Sequence, residues 1–178
     1  MALLKKNNLT VQNLDAIAIS SGPGSYTGLR IGASSAKGFC FGLDIPLISV
    51  NTLEALCHMT DVSEGVKIPL IDARRMEVFG SVFNYENAQL NKDFNLVIDS
   101  SSFSDIEGIK YLFGNGAKKL KEELKDNKTV NFIDNIECSA RGMVTLSEEK
   151  FQEKIFEDVA YFEPNYGKEF YTVPSKKG

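Results

Sequence analysis

Apolar positions along this chain switch between continuous runs, alternation and helical spacing, and the switches lay out its elements. Residues 2–6 read as the last turn of a helix, stopped at Asn7-Asn8. Residues 15–20 (DAIAIS) form a short apolar run of buried-strand type that feeds directly into the glycine-rich SSGPGSYTG. The stretch TGLRIGASSAKGFCFGL at 27–43 has helical length and no proline; IPLISV at 45–50 is the next strand, and Asn51-Thr52 caps a helix reaching Met59. Strands at 67–71 and 77–85 flank the tight DARR segment at 72–75 as an antiparallel hairpin, with a third strand near 94–98. The serines Ser100, Ser101, Ser102 and Ser104 mark a boundary between an N-terminal lobe (1–99) and a C-terminal lobe (100–178) whose tail returns toward the first. Beyond it come a strand at 111–113, the turn GNG at 114–116, a lysine-rich helix to about Lys125, a strand at 130–133 and a helix at 139–151. This alternation, with one hairpin in it, predicts an α/β fold with a partly parallel sheet.

Gly22, Gly24 and Gly28 sit between a strand and a helix, where backbone N–H groups and a helix N-terminus can hold an anion; Ser25 and Thr27 share the loop. Their spacing, G-x-G-x-x-x-G, departs from the dinucleotide pattern G-x-G-x-x-G, and Gly28-Leu29-Arg30 stands where a P-loop needs Gly-Lys-Ser/Thr. The loop is therefore either an anion cradle or a tight turn in which Pro23 fixes φ and Ser25 or Thr27 caps the helix. Inside the helix, Gly28, Gly32 and Ala36 recur every four residues with Ser35 beside them, a small-residue stripe that lets another helix approach closely. Each mid-helix glycine costs roughly 1 kcal/mol relative to alanine, so two of them imply a packing reason, within the molecule or between chains. Arg30 is a cation in the first turn, where it opposes the helix dipole unless an acidic partner, a ligand or solvent compensates it.

The formal net charge of −4 and the absence of any basic run longer than pairs such as Lys176-Lys177 weigh against direct, electrostatically driven binding of nucleic acid. The only histidine, His58, allows no HExxH metal pair, and one histidine with no G-x-S-x-G elbow gives serine hydrolase chemistry little support. Asp72 and Glu77 bracket the hairpin turn, where Asp is a common turn-former and Glu is solvated; Arg74 and Arg75 meet either an acidic partner or water. Cys40, Cys57 and Cys138 are odd in number, far apart and set in apolar sequence, as buried reduced thiols are. With no signal segment or apolar span in view, the cytoplasm is the expected compartment and no membrane is expected.

The run SGPGSYTGLRIG at 21–32, preceded by DAIAIS and followed by AKGFCFGLDIPLISVNTLEAL, closely resembles the signature segment of the TsaB (YeaZ) family. PLIDARRMEVFGSVF at 69–83, GNGA at 114–117 and EPNY at 163–166 extend the likeness, which is strong to about residue 83 and weaker after it. The resemblance implies an actin-like ATPase (ribonuclease H-like) fold of two lobes, related to TsaD, which transfers the threonylcarbamoyl group to a tRNA adenosine beside the anticodon. It also implies a non-catalytic subunit with no cofactor, metal ligand or catalytic residue of its own. Such a subunit dimerises with TsaD, or with itself when TsaD is absent, is joined by TsaE, and meets tRNA only through the complex. On that resemblance Gly28, Arg30, Gly32, Ser35 and Ala36 belong to a partner-docking face. The rival class is a nucleotide-binding ATPase using Gly22–Ser25 and Gly114–Gly116 as paired phosphate loops, or a glycopeptidase of the M22 type. The family begins with a β-hairpin and a first helix, whereas this sequence starts at that helix's end, as a chain shortened at its start would. Gly167 also stands where the family carries an aliphatic residue.

Overall fold

The computed structural model describes residues 2–168; the Lys176-Lys177 pair lies outside them. A short helix, α1 (Ala2–Lys6), ends in a turn at Asn7 and Asn8, and β1 (Ile17–Ser20) follows. The long helix α2 (Tyr26–Leu43) carries the chain to β2 (Leu47–Val50), which pairs parallel with β1 in the register Ile17↔Leu47 to Ser20↔Val50. Parallel strands need such a crossover, because no tight turn can join them. Asn51 accepts hydrogen bonds from the N–H groups of Leu53 and Glu54 and so starts α3 (Thr52–Cys57).

The second sheet has six strands: β3 (Val66–Asp72), β4 (Glu77–Gly80), β5 (Phe83–Asn84), β6 (Phe94–Val97), β7 (Lys110–Phe113) and β8 (Val130–Ile133). The path runs β6-β4-β3-β7-β8, antiparallel as far as β3 and parallel from β3 to β8, with β5 pairing the start of β3. Strands from both sides of residues 99/100 therefore share one sheet, and the serine cluster lies in the β6–β7 connection. Residues 157–165 run back over the first sheet, where the Glu157 N–H donates to the Leu47 carbonyl (2.8 Å) and Phe162 packs with Ala33, Ala36, Cys40 and Leu47, and Gly167 and Lys168 then reach the hairpin between β3 and β4.

Two elements differ from the sequence pattern. The strand expected over 77–85 breaks at Ser81 and Val82, because the Asn91 side chain accepts the Val82 N–H (2.7 Å) and the Ser81 hydroxyl (3.2 Å). A side chain that competes for backbone groups ends a ladder. The lysine-rich helix expected to reach Lys125 shrinks to a 3₁₀ turn, Ala117–Leu120, followed by turns. Gly116 gives that segment no side-chain cap. The last expected helix forms as a 3₁₀ turn, Ala140–Met143, capped by Ser139, running into α4 (Val144–Gln152).

Most of the core belongs to the larger sheet. Ile68, Leu70, Val78 and Leu112 pack with Phe103, Leu120 and Leu124 on one face, while Leu53, Leu56, Ile71, Phe79, Phe83 and Phe113 pack on the other.

Candidate functional site

Ser25 caps α2, its hydroxyl accepting the Gly28 N–H (3.3 Å), which leaves Thr27 exposed in the first turn. The helix lays Ala33, Ala36 and Cys40 against the two-stranded sheet and buries Leu29 beside Gly22 and Gly24. The small-residue stripe therefore does not stay on one side of the protein surface. Gly28 is exposed, Gly32 is half-buried with its Cβ position 3.5 Å from Ile19, and Ala36 is only 6% exposed. Ala36 is thus a core residue rather than part of an open docking face, because α2 can bury an apolar face only by turning it onto β1 and β2. Ser35 is exposed and donates its hydroxyl proton back to the Ile31 carbonyl (2.8 Å).

The outward face of α2 is the one the sequence reading missed. Ile31 is 63% exposed and Phe41 86%, with Ser34, Ser35, Gly38 and Gly42 beside them, and Phe39 is also exposed. Nothing lies within 4 Å of where a Cβ would stand on Gly38 or Gly42. The available signal was that 26–43 carries apolar residues on every side, and a helix apolar all round is covered all round. Arg30 points along the same helix: its guanidinium donates to the Tyr26 hydroxyl (2.9 Å) and sits 5.4 Å from that ring's centre, and the Tyr26 ring lies 4.7 Å from that of Tyr166.

The glycine loop is tied on both sides. The Gly22 carbonyl accepts the Thr52 N–H (2.9 Å), the Ser21 carbonyl accepts the Asn165 N–H (2.7 Å), and the Gly22–Pro23 peptide is cis. Gly22 has φ +100°, and a Cβ there would lie 2.0 Å from the Asn165 carbonyl oxygen. Only glycine fits such a position. Gly24, Ser25, Gly28, Thr52, Asn115 and Cys138 border a cleft of about 370 Å³ between the two sheets, with Leu29 and Ile71 in its wall. Both glycine loops named from sequence therefore reach one cleft, the second through Asn115. Cys40 and Cys57 are buried as expected, but Cys138 is exposed, because it lies in the irregular segment between β8 and the last 3₁₀ turn. Ser20 and Thr52 hydrogen-bond each other (2.5 Å) beside the cleft.

The β3–β4 hairpin is held by lysines from elsewhere in the chain. Lys119 donates to Asp72 Oδ1 (2.5 Å) and to the carbonyls of Arg75 (2.7 Å) and Glu77 (3.1 Å). Lys168 donates to the Ala73 carbonyl (3.1 Å) and pairs with Glu77 (2.6 Å). Partial burial opposes ionisation of Asp72, yet Lys119 and the Arg74 N–H outweigh it and hold its carboxyl below the usual range. Lys168 and Asn95 do the same for Glu77. Between these carboxylates Arg74 and Arg75 take φ of +69° and +48°, conformations that cost side-chain-bearing residues on the order of 1–3 kcal/mol each. Gly167 has φ +71°, and a Cβ on it would lie 2.7 Å from the Phe79 ring, which leaves no room for an aliphatic side chain.

Lys67 is a second feature that sequence reading passed over, hidden in the apolar run of β3. It is 2% exposed, and its ammonium donates to Asn87 Oδ1 (2.7 Å) and the Thr60 carbonyl (3.1 Å). Cys57 donates to the same Asn87 oxygen (3.3 Å), and burial pushes its thiol up to about 12. His58 ends α3 as its C-cap. Among the described residues, no three His, Cys, Asp and Glu side chains are grouped to bind a metal, and no helix is long and apolar enough to cross a membrane.

A helix crossing over parallel strands, a mixed sheet with an antiparallel hairpin and a cleft between the sheets define an α/β protein of the actin-like, ribonuclease H-like class. Residues 1–173 match the family model described as TsaD: tRNA N6-adenosine threonylcarbamoyltransferase, and the chain belongs to that family, on its TsaB/YeaZ side. It is 38% identical over 91 residues to the tRNA threonylcarbamoyladenosine biosynthesis protein TsaB of Bacillus subtilis, covering 51% of this chain and 40% of that one. It is 39% identical over 82 residues to TsaB of Haemophilus influenzae, covering 44% and 34%. The match thus spans well under half the length of these curated relatives. The solved structure of YeaZ from Pseudomonas aeruginosa shares the fold, with a TM-score of 0.76 and 20% identity over 93% of this chain and 80% of that one.

Proposed function

We propose that this chain is a partner subunit in the biosynthesis of threonylcarbamoyladenosine in tRNA, docking a TsaD protein through the outward face of α2 and leaving the chemistry to its partners. The exposed, apolar face of Ile31, Gly38, Phe41 and Gly42 carries the reading. Solvent does not favour an 86%-exposed phenylalanine on a rigid helix, and glycines beside it admit a second helix at close range. The partner is argued from the family: the model matching 1–173 carries TsaD's description, so α2 lies in a region common to both proteins. Similar helices can pair across a near-twofold axis, and the same geometry lets two copies of this chain pair when TsaD is absent. TsaE joins that complex to use ATP, and tRNA is met only through it. The polar groups at the cleft support a non-catalytic role, since Ser20 and Thr52 bind each other and Ser25 caps α2. All of this takes place in the cytoplasm.

The test is complex formation with purified TsaD, followed by gel filtration coupled to light scattering. A one-to-one complex is expected from this chain, and none from Phe41→Asp with an unchanged circular dichroism spectrum. Association of Phe41→Asp at wild-type strength ends the docking reading. Gly32→Leu is the poorer probe, because its side chain would press on Ile19. A nucleotide-binding reading draws on one observation, that Gly24, Ser25 and Asn115 border the same cleft. Saturable binding of ATP by calorimetry, lost in Asn115→Leu, would favour it.

A further inference from the structure

We infer that the β3–β4 hairpin is a docking point for an acidic segment of a partner protein, gripped by the guanidinium groups of Arg74 and Arg75. The first observation is the backbone. Asn or Gly suits two successive positive φ values, yet this turn has arginine at both. Strained conformations persist only where the surroundings over-determine them, and they gather where ligands are held.

The second observation is that the surroundings do over-determine this turn. The Asp72 N–H donates to Asn115 Oδ1 (3.0 Å), the Arg74 N–H to Asp72 Oδ1 (2.6 Å), the Ala73 N–H to the Glu77 carbonyl (3.1 Å) and the Glu77 N–H to the Arg74 carbonyl (3.1 Å). The Ile98 N–H takes the Met76 carbonyl (2.8 Å), and Lys119 and Lys168 take those of Ala73, Arg75 and Glu77. These contacts hold the backbone of the turn. The two guanidinium groups are exposed, and among the described residues neither meets a carboxylate within ion-pair distance. The nearby acids are already taken, Asp72 by Lys119 and Glu77 by Lys168.

The form of this site selects its ligand. Guanidinium takes a carboxylate or phosphate by two parallel hydrogen bonds, and a pre-set turn lowers the entropy lost on binding. A nucleic-acid strand needs a basic track that follows many phosphates. Here two cations stand between two carboxylates on a chain of net charge −4, a footprint that fits one or two carboxylates on a protein surface. The assignment does not depend on what α2 docks.

The experiment titrates the whole chain with hexaglutamate at low salt and follows the arginine Nε–Hε resonances by NMR. A ten-nucleotide single-stranded RNA is the second probe. We expect saturable shifts of Arg74 and Arg75 with the peptide, at least tenfold weaker binding by R74N/R75G, and unchanged or higher thermal stability of that variant. R74K/R75K keeps the charge but not the paired hydrogen bonds, and should bind at least threefold more weakly. Peptide affinity unchanged in either variant overturns the assignment. RNA binding tighter than the peptide's and dependent on both arginines overturns it too, in favour of a nucleic-acid contact.

Discussion

The two sheets leave different things undone. The six-stranded sheet is covered on both faces and spends its irregularity on one strained hairpin, held by Lys119 and Lys168. The two-stranded sheet is covered by α2 and the returning segment around Phe162 on one face and by α4, through Leu146, on the other, and α2 in turn shows Ile31 and Phe41 to the outside. The larger core lies in the first region, while the second leaves Phe41 86% exposed on its helix. A sheet of two strands is marginal by itself, and here α2, α4 and the returning segment all pack on it.

The comparison can be broken most directly by making the same cavity in both regions. Leu70→Ala, in the larger sheet, should lower unfolding free energy by about 4 kcal/mol, and Leu47→Ala, in the smaller cluster, by about 2, since a thin layer can collapse into its cavity. Urea denaturation measures both, and a Leu47→Ala loss equal to the larger one would show the two cores to be a single unit. The next effect has the opposite sign. Gly38→Ala fills open space on α2 and should raise stability by about 0.5–1 kcal/mol; the same assay decides, and a loss would mean that α2 is already covered there.

The smallest effect is the pH dependence of the hairpin. Asp72 and Glu77 have carboxyls held below their ordinary range, so the folded state binds their protons less readily than the unfolded one. The stability they add is present above about pH 4 and drains away as pH falls through their folded values. Exposed pairs such as Asp72 with Lys119 are worth under about 1 kcal/mol. Asp72→Asn should therefore flatten, without abolishing, the fall in melting temperature between about pH 5 and pH 3, the window in which ordinary carboxylates titrate. An unchanged slope would remove Asp72 from the account of how the turn is pinned.

Most of the order of strands and helices was legible in the sequence, the broken 77–85 strand and the shortened lysine-rich helix apart, because periodicity, a capping Asn51 and glycine punctuation act within a few residues. The single run 15–50 gave strand, loop, helix and strand with ends close to those observed, and Ser25 was already a candidate cap. What periodicity could not supply were contacts between distant residues. Asn91 breaking the strand at Ser81 and Val82 acts across a loop, and Lys119 holding the turn at Arg75 reaches across 44 positions. The orientation of α2 was undecidable for the same reason: with apolar residues on every side, only the sheet beneath it determines that Ala36 goes in and Phe41 stays out. Local pattern is set by backbone propensity and spacing, whereas which face is buried, and where strain can be stored, depends on what the rest of the chain brings alongside.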